Sequence, residues 1–410
     1  MGSNLSLEAV LLIVGMLLAI CVVSAKFATK LGVPVLIAFV GLGMLAGSDG
    51  PGGIYFADAQ IAQRTGTVCL LFILFAGGMD LHWHKAKSRV APALALSSIG
   101  VVITAICIGA ASHALLKISM MEALLLGAIV SSTDAAAIFS VLPRGEPRLK
   151  QKIHDIIELE SGTNDPTAIF LTSALISVVQ SGNQLTWSVA GHFVWEMLLG
   201  GFGGWLFGRA GVIAMRKVRL HAQGLFHVVS IALVLISFGA IALMKGNGFL
   251  AVYVAGVTFG NGDFSQVKGL RRFHDGIAWI MQMAMFFVLG LLVFPSKLPE
   301  VALVGIALAL ILIFLARPIG VHIALLPFRM RYREQAMVAW CGLRGAVAIL
   351  LATYPLLAGL PNAAKIFDVV FVIVLATVLI QGTTLKWIMV KLGQTEPTPQ
   401  SADSLPAQSP

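Results

Sequence analysis

The sequence predicts an all-α polytopic membrane protein of 13 transmembrane helices, built as inverted repeats with two broken helices crossing at the midplane. Three observations predict it. Of 410 residues, 58% are hydrophobic and 11% charged, and the mean hydropathy is +0.91, a balance foreign to soluble globular domains. Apolar runs such as LEAVLLIVGMLLAICVVSA and EALLLGAIVSSTDAAAIFSVLP recur from end to end, each near the roughly 20 residues a helix needs to cross the hydrocarbon core. Two of these runs, seven spans apart, are interrupted halfway by polar residues or paired glycines.

In chain order the predicted spans are 5–25, 34–47, 61–79, 91–112, 121–142, 153–179, 187–207, 223–243, 248–261, 275–294, 300–326, 334–354 and 366–390. The first has no basic stretch before it and is too long for a signal-peptide core, so it reads as a membrane helix. The loops at 26–30, 85–89, 144–152, 209–219, 268–272, 329–333 and 386–391 hold most of the 28 lysines and arginines; the opposite side has only Arg64, Lys117, Lys245, Lys297 and Lys365. Cytoplasmic loops carry such an excess, which places the N-terminus outside and the C-terminus in the cytoplasm. The net charge of +9 is then loop charge facing the anionic lipid bilayer, and no nucleic acid is implied. Cys21, Cys69, Cys107 and Cys341 lie in apolar runs without paired spacing and read as small hydrophobes. His82, His84, His154, His221 and His274 read as residues of the cytoplasmic interface. Residues 1–393 form the transmembrane domain, with spans 1–6 repeated as 8–13 and span 7 linking them. QTEPTPQSADSLPAQSP, 394–410, is too poor in apolar residues to join a core and is predicted to be a disordered tail.

The polar residues inside the spans carry the chemistry. In span 6, ESGTND places Glu160 about a turn before Asp165, which lies roughly 18 Å into the ~30 Å core. Acids at this depth face a cavity, a partner or an ion path. Pro166 cannot donate to the carbonyl of Gly162 and frees an oxygen there. Two arginines also fall within spans. Arg317, before Pro318, is expected to snorkel to the headgroups, and Arg344, near the midplane, is expected to pair with Glu160 as a structural ion pair. Asp165 is then left without a base and reads as functional. Thr133 and Asp134 in GAIVSSTDAAAI, and Gly342 and Gly345 in CGLRGAVAI, mark the two interrupted helices. Their bare carbonyls and half-helix ends can coordinate ions.

At these residues the chain resembles the CPA1 family of monovalent cation/proton antiporters, most closely the NhaP-type potassium/proton antiporters of bacterial inner membranes (the CvrA-like branch). The resemblance rests on GMLAGSDGPGGI, GAIVSSTDAAAIFSVL, ESGTNDPTAIFLT, FLAVYVAGVTFGN, FHDGIAWIMQMAMFFVLGLLVFPS and WCGLRGAVAILLATYPLLAGLPNA, in order along nearly the whole chain. It implies a 13-helix fold with a dimerisation domain and a mobile core domain, a homodimer, and no cofactor. It implies that Asn164 and Asp165 are the family's Asn-Asp pair, with Asp165 binding cation and proton in turn. It further implies that Thr133 (through its carbonyl), Asp134 and Ser161 help to hold the monovalent cation, and that Glu160 pairs with Arg344. Relatives carry an acid before the Gly-Gly of span 3, where this chain has Ala76. They also continue into a cytoplasmic regulatory region.

One carboxylate that holds a proton or a cation, never both, is an exchanger. Asn164 does not ionise, so one cation would move against one proton and the exchange would be electroneutral. The choice between potassium and sodium depends on cavity size and ligand flexibility, which the sequence leaves open. Two other classes compete: a cation channel, which would need a continuous polar stripe, and an intramembrane aspartyl-type hydrolase, in which Asp134 and Asp165 would form the catalytic pair.

Overall fold

The computed structural model describes residues 6–31, 34–142, 148–182, 187–217, 222 and 224–396. Arg144, Arg219, His221 and the predicted tail from 397 onward lie outside the described residues. The helices are α1 (Leu7–Leu31), α2 (Val35–Ala46), α3 (Ala59–Asp80), α4 (Trp83–Leu116), α5 (Met120–Ile129), α6 (Ala135–Val141), α7 (Gln151–Ser181) and α8 (Trp187–Lys217). They continue as α9 (Gly224–Leu243), α10 (Gly248–Gly260), α11 (Val267–Leu291), α12 (Pro295–Phe328), α13 (Tyr332–Trp340), α14 (Ala346–Leu357) and α15 (Ala363–Lys391). No strand occurs among the described residues beyond two isolated bridges. Seven of the helices are long and apolar enough to cross a membrane by length and composition, and the protein is a multi-pass membrane protein.

Local chemistry sets where the helices start and stop. The Asp58 side chain accepts from the backbone N–H of Gln60 and Ile61 (both 2.9 Å) and so caps α3. Ser119 and Glu122 form a capping box at the start of α5. Asn247 caps α10 through Leu250 N (3.0 Å) and also donates to Pro166 O of α7 (3.2 Å). The helices then close on glycines. Gly78 of α3 lies against the α10 backbone at Tyr253 and Gly256, and Gly43 of α2 against α11 at Phe287 and Gly290; a Cβ at either glycine would meet backbone atoms. In an apolar solvent such close approach is a main source of helix association.

Both predicted interruptions are present. α5 ends at Ile129 and α6 begins at Ala135; α13 ends at Trp340 and α14 begins at Ala346. A second matched pair was not foreseen. α4 and α12, which pack against each other, each carry a π-turn, at Leu96–Gly100 and Leu312–Ala316. Pro318 removes the N–H that would serve Phe314, and Ser98 donates its hydroxyl to Leu94 O (2.6 Å), so each helix has a reason to widen.

Three sequence expectations are corrected. Gln394 is buried and residues 394–396 pair with 148–151, so ordered chain passes the predicted tail boundary. His274 is fully buried against Phe75 and Ser230 (2.9 Å), not interfacial. Arg317 does not reach the headgroups: α12 is 34 residues long, far more than a span requires, and Arg317 is 2% exposed. The four cysteines are free, with Cys21, Cys69 and Cys341 buried and Cys107 partly so.

Candidate functional site

The two gaps in the broken helices cross. Residues 130–134 and 341–345 are non-helical, and Asp134 N donates to Leu343 O (2.9 Å), a single backbone bond that joins the gaps. The sequence SSTD favours such a break because each side chain competes with the backbone for hydrogen bonds. Ser131 Oγ donates to Ala128 O (2.6 Å), which satisfies a carbonyl at the end of α5. Asp134 Oδ1 accepts from Ala137 N (3.0 Å) and caps α6, and its carboxylate also meets the N–H groups of Ala136 and of Ala346 at the start of α14. A single anion therefore serves both half-helix N-termini, where the helix dipoles favour negative charge. Gly345 is required by this arrangement, since a Cβ there would fall on the Asp134 carboxylate.

α7 lies beside the crossing and supplies the remaining groups. Ser161 Oγ donates to Thr133 O (3.0 Å) and accepts from Ala135 N (3.1 Å), bridging the gap between α5 and α6. Asn164 Nδ2 donates to Thr133 Oγ1 (2.5 Å). Asp165 follows, 4% exposed, with Ser132 as its polar neighbour and Asp134 within electrostatic reach. Gly162 gives α7 room to meet the Tyr253 ring of α10, which a Cβ would strike. The structure thus brings Thr133, Asp134, Ser161, Asn164 and Asp165 together. Ala76 is buried in α3.

Two acceptor atoms at this site, Asp165 Oδ1 and Asn164 Oδ1, are buried without a hydrogen-bond partner among the described residues. Buried acceptors are ordinarily satisfied. A pair of bare oxygens, one of them on a carboxylate, has the chemistry to take a proton or a hard monovalent cation.

The ion pair is not the one the sequence suggested. Glu160 is paired with Arg317: Nη2 donates to Oε2 at 2.9 Å and Nη1 lies 2.6 Å from Oε1 as an ion-pair contact, with both side chains buried. A charge-assisted hydrogen bond of this kind is stronger than one between neutral groups. Arg344 instead donates Nη1 to Ser131 O (2.6 Å) and Ser132 O (2.7 Å), the carbonyls freed where α5 ends. It remains within electrostatic reach of both Glu160 and Arg317. The physical reason is proximity: Arg344 sits in the second gap, which crosses the first, so free carbonyls meet it before a carboxylate does. Arg317, Ser131 and Ser132 were missed as site residues. Arg317 carried a usable signal, a charge inside the apolar run ILIFLARPIGVHIALL.

The sequence pattern described as "Sodium/hydrogen exchanger, transmembrane" matches residues 15–391. The chain is 39% identical over 391 residues to the K(+)/H(+) antiporter NhaP of Alkalimonas amylolytica, covering 94% of this chain and 68% of that one. It is 38% identical over 387 residues to the K(+)/H(+) antiporter NhaP2 of Shewanella sp. (strain MR-4), covering 93% and 66%. The chain therefore spans about two thirds of the length of these relatives. Among solved structures, the sodium proton antiporter MjNhaP1 from Methanocaldococcus jannaschii shares the fold, with a TM-score of 0.78 at 23% identity over 95% of this chain and 99% of that one.

Proposed function

Because the chain belongs to the sodium/hydrogen exchanger family, we propose that it exchanges a monovalent cation, potassium and/or sodium, for a proton across a membrane. Asp165 binds the two in turn. The observation that carries this reading is the pair of buried, unpartnered oxygens on Asp165 and Asn164 beside the crossing of two broken helices. Thr133 O, the Ser161 hydroxyl and the Asn164 amide oxygen complete a neutral oxygen cradle, and Asp165 supplies its charge. Asp134 contributes by fixing the half-helices. A proton on Asp165 removes the charge that holds the cation, and the cation occupies the site the proton would take, so each excludes the other. The empty carboxylate is costly to carry through an apolar barrier, which couples the two fluxes.

Potassium is the favoured cation because the relatives named above are potassium/proton antiporters. The matched interruptions in α5/α6 and α13/α14, with the π-turns of α4 and α12, support inverted repeats and a chain of 13 spans. The asymmetry of basic loops supports an outside N-terminus and a cytoplasmic C-terminus in a bacterial inner membrane, and the resemblance supports a homodimer in the bilayer. A channel would leave the site charged and open, and the described site is closed around Asp165. The hydrolase reading loses its second aspartate, since Asp134 is engaged at the helix ends.

The test is cation-dependent dequenching of a proton-gradient dye in everted vesicles. Potassium, sodium and lithium chloride are added in turn to vesicles with and without the protein. Dequenching by potassium or sodium, absent from vesicles lacking the protein, is the expected result. No response to any of the three would overturn the proposal.

A further inference from the structure

The chain that follows the last helix turns back onto the helix that carries Asp165. α15 ends in a Schellman turn: Gly393, in the left-handed region at φ 65°, donates its N–H to Val390 O (3.0 Å), and Gln394 donates to Met389 O (3.0 Å). The turn aims residues 394–396 at the segment just before α7. There Lys150 N donates to Gln394 O (3.0 Å) and Glu396 N to Arg148 O (2.8 Å), which sets Leu149 opposite Thr395 as an antiparallel pair. Lys150 Nζ donates to Gly393 O (2.7 Å), and Gln394 is 4% exposed. Finally, Glu396 Oε1 accepts from Gln151 N (3.0 Å), the first residue of α7. Lys150, at the N-cap position, offers no capping side chain of its own. The carboxylate that caps α7 is therefore borrowed from beyond α15, at the end where the helix dipole favours an anion.

We propose that residues 393–396 form a strap that positions the Asp165 helix, with Glu396 as a positioning residue, so that seating of the strap sets the rate of exchange. α7 is one continuous helix from Gln151 through Asp165, so its first turn and the site move together. The opposite anchor of that turn is the Lys152 to Glu334 bridge (2.6 Å), which ties it to α13. The strap adds a tie to α15, made of main-chain bonds, the exposed Lys150 side-chain bond to Gly393 O and one exposed cap, with Gln394 alone of its residues buried. Such contacts seat and release more readily than a buried interface. The inference rests on Asp165 being the exchanging carboxylate, but it fails separately: Asp165→Asn tests that reading, and the ratio of Glu396→Ala to the parent tests the strap.

The experiment uses the full chain in proteoliposomes with potassium chloride as the probe. Glu396→Ala, which removes the acceptor of the Gln151 N–H, is expected to lower the maximal exchange rate about fivefold, the order of one lost cap, with the half-saturating cation concentration unchanged because no ion ligand is touched. A second arm places Leu149→Cys and Thr395→Cys in the Glu396→Ala background. Directly opposed residues without mutual hydrogen bonds suit a disulfide. Oxidation is expected to restore the rate, and reductant to remove the gain. A merely structural strap would lower the melting temperature and leave the rate alone. That outcome, or a rate indifferent to both the substitution and the cross-link, overturns the proposal.

Discussion

Replacing Asp165 with asparagine is expected to bring cation-driven proton flux down to the level of protein-free vesicles while the protein stays folded. The amide has the size of the acid, so the buried position and its neighbour Ser132 are undisturbed. The change removes a desolvated negative charge, and an apolar core tolerates the neutral form better. What is lost is chemical. An amide neither releases a proton at any working pH nor offers the charge that holds a monovalent ion. Monodispersity by size exclusion checks the fold, and proteoliposome flux checks the function. A variant that still moved protons in response to potassium or sodium would refute the assignment.

Arg317→Ala is expected to destabilise the protein severely, by about 3–5 kcal/mol, because it leaves the Glu160 carboxylate buried and unpaired. Glu160→Ala strands the guanidinium and is expected to do the same. The double substitution Glu160→Leu with Arg317→Met is expected to recover most of that loss, since replacing both partners of a buried pair by apolar groups is often near neutral. Thermal unfolding in detergent reads all three. The control is Arg344→Met combined with Glu160→Leu, which restores nothing because Arg317 is then left alone and the Ser131 and Ser132 carbonyls lose their donor. Rescue by the Arg344 combination instead would show that the geometric pair is not the energetic one.

The gross plan was legible in the sequence for simple reasons. Apolar runs long enough to cross a bilayer can do little else, and SSTD and CGLRG break helices by local chemistry that needs no neighbours. That the two broken segments cross was likewise readable from their matched positions, whereas the gathering of Thr133, Asp134, Ser161, Asn164 and Asp165 was implied by the family resemblance. The failures share one cause, a dependence on three-dimensional placement. Arg317 was judged by its distance from a helix end, a measure that fails when α12 is far longer than a span. Glu160 was given the only midplane arginine in view, although Arg344 had nearer partners in carbonyls that exist only because α5 stops. The strap was lost to composition: QTE reads as polar tail, and nothing in it says that Gly393 turns the chain onto α7.

The central claim is that one carboxylate serves both ions. Of the polar residues at the crossing, Glu160 is held by Arg317, Asp134 caps the half-helices and Asn164 does not ionise; on the proposed reading Asp165 then carries a single charge per half-cycle. The most direct test is to follow cation and proton fluxes side by side in the same proteoliposomes, with and without an imposed membrane potential. The account predicts one proton moved against each cation, at a rate the potential does not alter. Cation movement without matching protons, or an exchange rate that follows the potential, would contradict it.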